Sequence, residues 1–140
     1  MDATMTFKKE ADFILEHWDN AEHWYDHEGW CDFITWSADK NRALTITQGD
    51  ELIALGFFWQ LDDPRVDWSD HFPEENPEGR YLYSPLAVIK PEHRGRKIWR
   101  KMVKTAFGII DSPHLKYLGY HKLNRHERLM IMRLEDVFNG

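Results

Sequence analysis

The chain has 140 residues, of which 42% are hydrophobic and 30% charged, a composition that supports one compact domain, residues 1–140, with a single core. It has no run of about 18 apolar residues that would span a membrane, and its N-terminus lacks the apolar core of a signal peptide. We therefore expect a protein of the cytoplasm, or of a particle assembled there. The single cysteine excludes an intrachain disulfide bond.

The net charge of −6 conceals an uneven distribution along the chain. Residues 1–83 contain 6 Lys/Arg and 19 Asp/Glu, whereas residues 84–140 contain 12 Lys/Arg and 5 Asp/Glu. The second half is thus the place for an anionic ligand. Because the whole chain is acidic, it would repel a long nucleic-acid backbone, and a small phosphorylated cofactor suits the local basic patch better.

The first predicted element is a helix that Thr6 caps and that reaches about Trp24 or Tyr25. Its apolar residues recur with a period of 3.6: Phe7, Ala11, Ile14, Leu15, Trp18 and Ala21. His23 and His27 have the i, i+4 spacing of metal ligands, but eight histidines in an acidic chain also produce such pairs by chance. We predict no metal site, and we interpret Cys31 as a small buried residue rather than a nucleophile.

Gly29 should end this first pattern, and residues 30–36 form a short aromatic segment that is either helix or strand. Two apolar stretches, 42–48 and 51–61, then flank a Gly-Asp turn, which predicts a β-hairpin. Residues 62–79 contain three prolines and seven acids and should form a loop. That loop either covers a site or docks a partner through Trp68 and Phe72, or it is a solvated insertion.

The most informative stretch runs from residue 80 to residue 110. A strand over about 80–90 is ended by Pro91, and a corner rich in arginine and glycine leads into an amphipathic helix. Its apolar face consists of Ile98, Trp99, Met102, Val103, Ala106, Phe107 and Ile110. The free amide groups of the first helical turn, next to basic side chains, favour phosphate binding. The alternative is an ordinary strand-to-helix corner with solvated charges.

Two further elements complete the prediction. Asp111, Ser112 and Pro113 end the helix, and residues 114–121 form the next strand. Asn124 then caps a helix over 124–138, with Met130, Leu134, Val137 and Phe138 on one side.

The segment from Ala87 to Trp99, AVIKPEHRGRKIW, resembles the V-x-P-E-x-R-G-x-G-x-G/A signature of the GCN5-related N-acetyltransferases, the GNAT superfamily. The resemblance implies that Ala87, Val88 and Ile89 lie along the pantetheine arm of acetyl-CoA. It also implies that a loop holds the pyrophosphate, formed by Arg94, Gly95, Arg96, Lys97, Ile98 and Trp99. Lys97 and Trp99 stand where the family usually has Gly and Gly or Ala. Asn124 matches the residue that opens the helix along the other wall of the cofactor cleft.

The fold that the resemblance implies is α/β (α+β), with a mixed, mostly antiparallel central sheet that is splayed at the cofactor site and flanked by helices. The usual last two strands are missing because the chain ends after the predicted helix at 124–138. One edge of the strand at 115–121 is then unpaired, and we expect a second copy, a partner's strand or the chain's own N-terminal segment to cover it.

The activity that the resemblance implies is transfer of an acetyl group from acetyl-CoA to an amine, either a small molecule or a protein lysine or N-terminus. Tyr83 and Tyr120 lie near the two strand ends and are our candidates for proton transfer, since Ile131 replaces the family's usual tyrosine. The alternative is a catalytically degenerate domain with a structural or interaction role, as in small phage virion proteins that resemble acetyltransferases. A third hypothesis is a nucleic-acid binder that uses the basic helix.

Overall fold

The computed structural model describes residues 7–65, 74–122 and 125–139, without the side chains of residues 96 and 125–127. The protein is a mixed α+β structure, and these residues form five α-helices and two mostly antiparallel sheets. In the described ranges, no helix is long and apolar enough to cross a membrane.

The N-terminal region folds into three helices rather than the single long helix that its periodicity predicts. These are α1 (Lys8–His17), α2 (Ala21–Trp24) and α3 (His27–Asp39). The chain leaves α1 at Trp18, which has an extended backbone. The prediction that Gly29 ends the helical pattern is wrong: the Asp26 side chain caps α3 by accepting a hydrogen bond from the Gly29 amide, so the aromatic segment is helical. The predicted cap, Thr6, lies outside the described residues.

The predicted hairpin is confirmed by β1 (Ala43–Gln48) and β2 (Glu51–Phe57), which pair antiparallel around Gly49 and Asp50. Gly49 has a φ of 63°, a conformation that glycine adopts without the strain of a Cβ atom. The short strand β5 (Ala87–Ile89) pairs with the other side of β2 and completes a three-stranded sheet in the order β1-β2-β5.

The second sheet has the order β3-β4-β6-β7. Its strands are β3 (Trp59–Leu61), β4 (Tyr81–Ser84), β6 (Tyr117–Lys122) and β7 (Arg125–Arg133). Neighbouring strands are antiparallel except β4 and β6, which are parallel. The predicted motif strand is thus two strands in different sheets, separated by Pro85 and Leu86. In the described parts of the predicted loop, residues 62–65 and 74–79 contain neither helix nor strand.

The helix predicted over 124–138 is wrong for most of its length. Residues 125–133 form β7, which pairs antiparallel with β6, and only Leu134–Asn139 is helical, as α5. Cross-strand pairing overrides the helical spacing of the apolar residues here. The expectation of an open edge on the strand at 115–121 is also wrong, because β4 and β7 cover both edges of β6. The cover on one side is thus the chain's own segment 125–133, rather than its N-terminal segment, a partner's strand or a second copy.

The sheets lie between two groups of helices. Helices α1 to α3 pack on Leu55, Phe57 and Val88 in one buried cluster. Helix α4 (Arg96–Ile110), predicted from the periodicity, packs with α5 on a second cluster that includes Leu82 and Leu118. A left-handed Asp111, with a φ of 50°, ends α4. The break in the motif strand therefore has a different helix layer on each side.

Candidate functional site

The candidate site is built around the point where the motif strand changes sheet. The parallel pairing of β4 with β6 ends at Ser84 and Tyr120, and the chain then continues into β5, whose strand partner is β2. We call the region between β5 and the C-terminal end of β6 the wedge. Among the described strands β5 has a partner on one side only, so its other edge of amide and carbonyl groups faces the wedge.

The corner after β5 prepares the N-terminus of α4. A 3₁₀ turn, Pro91–His93, precedes Gly95, which adopts a φ of 149° and occupies the N-cap position. Gly95 offers no capping side chain, and the first turn of α4 contains no acidic residue. The first amide groups of a 15-residue helix therefore keep their positive potential.

Basic side chains surround this helix end. Lys97, Lys101 and Lys104 are exposed, and in the described part of the chain no carboxylate lies within ion-pair distance of them. Lys90, at the end of β5, is different because it pairs with Glu51 and Glu92. The first half of α4 is thus a surface of uncompensated positive charge.

Arg94, which the sequence assigned to phosphate binding, has a structural role in this conformation. Its Nε donates to the carbonyl of Ile89 at 3.0 Å, and one terminal nitrogen donates to the carbonyl of His17 at 3.4 Å. Arg94 therefore ties the end of β5 to the last residue of α1. Of the other predicted cofactor residues, Asn124 lies outside the described residues, as does the side chain of Arg96.

Trp99 and Tyr120 come together on the α4 side of the sheets. The Trp99 ring is 5.4 Å from the Tyr120 ring and stacks on Phe58 at 6.0 Å. Ile98 and Trp99 are half-buried beside the same cluster, which also contains Ala87 and Ile89. The structure thus brings a predicted catalytic residue next to predicted cofactor residues.

Tyr83 faces the other side. It pairs across the sheet with Gly119, and its Oη lies 2.8 Å from Nε2 of His121, two residues further along β6. A Cβ atom on Gly119 would lie 3.1 Å from Cβ of Pro64, so glycine leaves room for the proline ring on this face. Tyr83 is 1% exposed and His121 is half-buried. The sequence analysis missed His121, although its two-residue offset from Gly119 on a strand places it on the Tyr83 face.

An aromatic cleft lies between the N-terminal helices and the strand break. Its cavity volume is about 20 Å³, close to that of a single water molecule, and Pro85 and Leu86 form one wall. The other walls are the rings of Trp18, Trp24, Tyr25, Trp30 and Phe33. Sequence patterns alone do not assemble these residues, because they lie on α2, on α3 and in the segments that precede these two helices.

The two remaining sequence candidates fall outside this site. Nε2 of His27 lies 2.9 Å from a carboxylate oxygen of Asp12, and the described residues contain no cluster of three or more His, Cys, Asp or Glu that could hold a metal ion. Cys31 is fully buried, 3.9 Å from Nδ1 of His27. Burial raises the pKa of the Cys31 thiol, and nearby carboxylates, chiefly Asp32, raise it further. A thiol in this environment is a poor nucleophile.

Comparison of the chain with protein-family models, with curated proteins and with solved structures gave no significant match. The case for a function therefore rests on the residues and geometry described above.

Proposed function

We propose that this chain is an N-acyltransferase of the GNAT type, which moves an acetyl group from acetyl-CoA to an amine. The observation that carries the proposal is the wedge: the strand bearing the motif leaves its parallel neighbour after Ser84, and the corner that follows ends at the uncapped N-terminus of α4. An unpaired strand edge beside a helix N-terminus suits a ligand that has amide groups at one end and phosphates at the other.

The cofactor would bind in two parts. The phosphates would accept hydrogen bonds from the first amides of α4, and Lys97 would contribute charge. The pantetheine arm, which contains two amide groups, would run along the edge of β5 that has no strand partner, beside Ala87 and Ile89. Both residues are half-buried, so the arm would exchange water for an apolar surface on one side.

The chemistry requires two proton transfers. The amine nitrogen forms a bond to the acetyl carbonyl carbon, the carbon–sulfur bond breaks, and backbone amides at the edge of β5 stabilise the developing oxyanion. The Tyr83–His121 pair would take the proton that the amine loses, with the imidazole as final acceptor. Tyr120, on the opposite face beside Trp99, would give its proton to the departing thiolate.

Cofactor binding tests this proposal most directly. Calorimetric titration with acetyl-CoA and with desulfo-CoA should give saturable binding that weakens with salt. Lys97→Glu should weaken it about tenfold or more, because a charge-assisted contact to phosphate becomes a repulsion.

Lys104→Glu is the matched control, since it makes the same charge change on the same helix about 10 Å further along. It should have a much smaller effect. The proposal fails if the native protein shows no binding at millimolar cofactor, or if both variants change the affinity equally.

One observation favours the second candidate, a domain of this shape with an interaction role and no chemistry. Trp99 stands where the family has a small residue, and its ring contacts Phe58 and Tyr120 at the α4 side of the wedge. Under this hypothesis the native protein binds no cofactor, whereas Trp99→Ala, checked for folding by thermal denaturation, opens the wedge and gains binding. The outer edge of β7, where Ile131 is 52% exposed, would then be a surface for a partner's strand or a second copy.

A further inference from the structure

Three lysines form a line along the exposed side of α4, and we call them the basic stripe. Lys97, Lys101 and Lys104 are exposed and are spaced by four and three residues, so they lie on one face of the helix. Like charges at these spacings destabilise a helix, and α4 contains no acidic residue that would offset them. Among the described residues, no carboxylate lies within ion-pair distance of the three lysines. Their charge is therefore available to a partner.

Gly108 continues this line one turn beyond Lys104. It is exposed in the interior of α4, and a Cβ atom added there would contact nothing within 4 Å beyond the backbone of its own helix. Glycine is less favourable than alanine inside a helix, and no neighbouring group requires it at this position. A position without a side chain lets another backbone approach closely. The surface of α4 thus combines basic side chains with room for a close helix contact.

A complementary line of acids lies on α3, in the helix layer on the other side of the sheets, and we call it the acidic stripe. Its members are Glu28, Asp32 and Asp39, which are all exposed. Their spacings of four and seven residues place them on one face of the helix. In the parts of the chain that the structure describes, none of the three forms an ion pair. This stripe is therefore available to a cationic surface.

The cations next to the acidic stripe have other contacts or lie elsewhere. Lys40 lies over the Trp36 ring, 5.3 Å from its centroid, and Lys9 donates to a carbonyl of the β1–β2 turn. Arg94 bonds the last carbonyl of α1, and Lys8 is exposed in the first turn of that helix. These cations moderate the negative field of the helix layer but do not pair with the carboxylates of the acidic stripe.

The two stripes match when the helices that carry them run antiparallel. Asp32 and Asp39 are seven residues apart, as are Lys104 and Lys97, so each acid faces a lysine and both pairs span about 10 Å. The same orientation places Gly108 opposite Glu28. It also brings the positive N-terminus of α4 to the negative C-terminus of α3. Spacing, charge and helix dipoles therefore favour one relative orientation.

We propose that α4 of one copy docks antiparallel on α3 of a second copy, so that the protein associates head to tail. The two stripes lie in helix layers on opposite sides of the sheets, so the contact joins different surfaces of the two copies. Each pair keeps one unoccupied stripe of either charge, and further copies extend it into a chain or close it into a ring. This proposal goes beyond the acyltransferase function and does not depend on it, because the contact requires no acetyl-CoA.

A second copy fits the basic stripe better than a long polyanion does. The net charge of −6 opposes the approach of a nucleic-acid backbone, whose charges continue past the stripe onto the acidic parts of the surface. A second copy instead presents carboxylates at the spacing of the lysines and ends where they end.

The first test measures association of the native protein. Sedimentation velocity from micromolar to millimolar concentration should show a mass that rises with concentration beyond that of a dimer. The association should weaken at least about tenfold when the salt concentration is raised to about 0.5 M, because the charges are screened. A monomer over the whole range at low salt would overturn the proposal. Association that salt does not weaken would also overturn it, since it would indicate pairing of strand edges instead.

The second test reverses the charge of each stripe. Lys101→Glu with Lys104→Glu should weaken association at least about tenfold, and so should Asp32→Lys with Asp39→Lys, because like charges then face each other. An equimolar mixture of the two double variants should associate again, since each stripe of one variant meets an opposite charge on the other. Lys97 stays unchanged because it also lies at the proposed phosphate site, so a failure of this contact is distinct from a failure of cofactor binding.

Two further variants separate a specific contact from general charge effects. Lys116→Glu with Lys122→Glu changes two exposed lysines outside both stripes, gives the same net charge as the α4 variant, and should leave association unchanged. Gly108→Gln adds an uncharged side chain of higher helix propensity. It should raise the thermal midpoint of unfolding and weaken association several-fold, because the side chain lies in the contact.

Thermal denaturation checks that each variant folds. Equal losses in the α4 variant and its control would refute the contact, as would a mixture that stays monomeric or an unchanged association of Gly108→Gln. Polyglutamate and a DNA duplex are also titrated against the native protein. Binding of either one without self-association would assign the basic stripe to another anionic partner and would equally refute the proposal.

Discussion

The aromatic cleft and the basic corner of α4 adjoin the same break in the central strand, yet they are chemical opposites. Pro85 and Leu86 form a wall of the cleft, and the next residue, Ala87, contacts the cluster around α4. The cleft is lined by carbon, whereas the corner offers amide groups and lysines. One change of sheet thus separates an apolar wall from a basic helix end, because alternate residues of a strand point to opposite faces.

The two regions also differ in how deeply their side chains are buried. The cleft is an extension of the core, with Trp18, Trp30 and Phe33 each 3% exposed. In the corner, residues 91, 92, 94, 95 and 97 are all exposed. Substitutions near the cleft should therefore change stability, and substitutions at the corner should change binding. The predictions below test this difference.

The largest expected effect concerns the proposed chemistry. His121→Gln should lower the turnover number by about 10²–10⁴-fold with little change in cofactor affinity, because glutamine can hydrogen-bond Tyr83 but cannot accept the proton. Tyr120→Phe should also lower the turnover number more than the cofactor affinity. The loss in turnover should be smaller than for His121→Gln, because water can protonate a thiolate. Initial rates of thiol release at saturating acetyl-CoA measure both. An unchanged rate in the folded His121→Gln variant would remove the Tyr83–His121 pair from the mechanism.

The second-largest expected effect is on stability, and we compare a phenylalanine on the cleft side with one on the α4 side. Phe57 is fully buried and packs against Phe33 at 4.7 Å, so Phe57→Ala should lower the free energy of unfolding by about 3–5 kcal/mol. Phe107 is half-buried on α4 and packs against Phe138. Phe107→Ala should therefore lower the free energy of unfolding by about 1 kcal/mol. Urea denaturation provides the values. Equal losses would mean that the α4 side is as much a part of the core as the cleft side.

Arg94 hydrogen-bonds residues next to both regions, and Arg94→Lys distinguishes a contribution to stability from a contribution to phosphate binding. Arg94→Lys keeps the charge but cannot span the carbonyls of Ile89 and His17, so we expect about 0.5–1.5 kcal/mol less stability. The salt dependence of cofactor binding should remain. If stability is unchanged and cofactor affinity falls, Arg94 acts at the phosphates, as its position in the motif predicts.

The smallest effect concerns Cys31. Because its pKa is raised, the thiol stays protonated at neutral pH, and a disulfide reagent should label it negligibly at pH 7.5 and completely after unfolding. Labelling should accelerate as the pH rises toward the raised pKa. Thr45→Cys, at an exposed position on β1, is the control and should react at once. Rapid labelling of native Cys31 would show that the core beside the cleft opens readily.

The sequence correctly predicted the elements that depend on patterns of neighbouring residues. The β1–β2 hairpin follows from alternating apolar residues around a Gly-Asp turn, and α4 follows from a repeating apolar face that Asp111 and Pro113 end. It also predicted the strand that carries Tyr120. It could not place Tyr83 and Tyr120 on opposite faces of the sheet, since that depends on the register of β4 against β6.

The sequence by itself therefore determined the hairpin, the strand-to-helix corner, the basic second half and the acidic first half. Each of these features depends on residues that are close together in the chain. The tertiary structure alone decided that the motif strand changes sheet at Pro85, that residues 125–133 form a strand, and that His121 meets Tyr83. In β7, methionine, leucine, glutamate and arginine have high helix propensity, but pairing with β6 outweighs it. The pairing of β4 with β6, which brings His121 to Tyr83, joins residues far apart in the chain, and no local pattern contains that information.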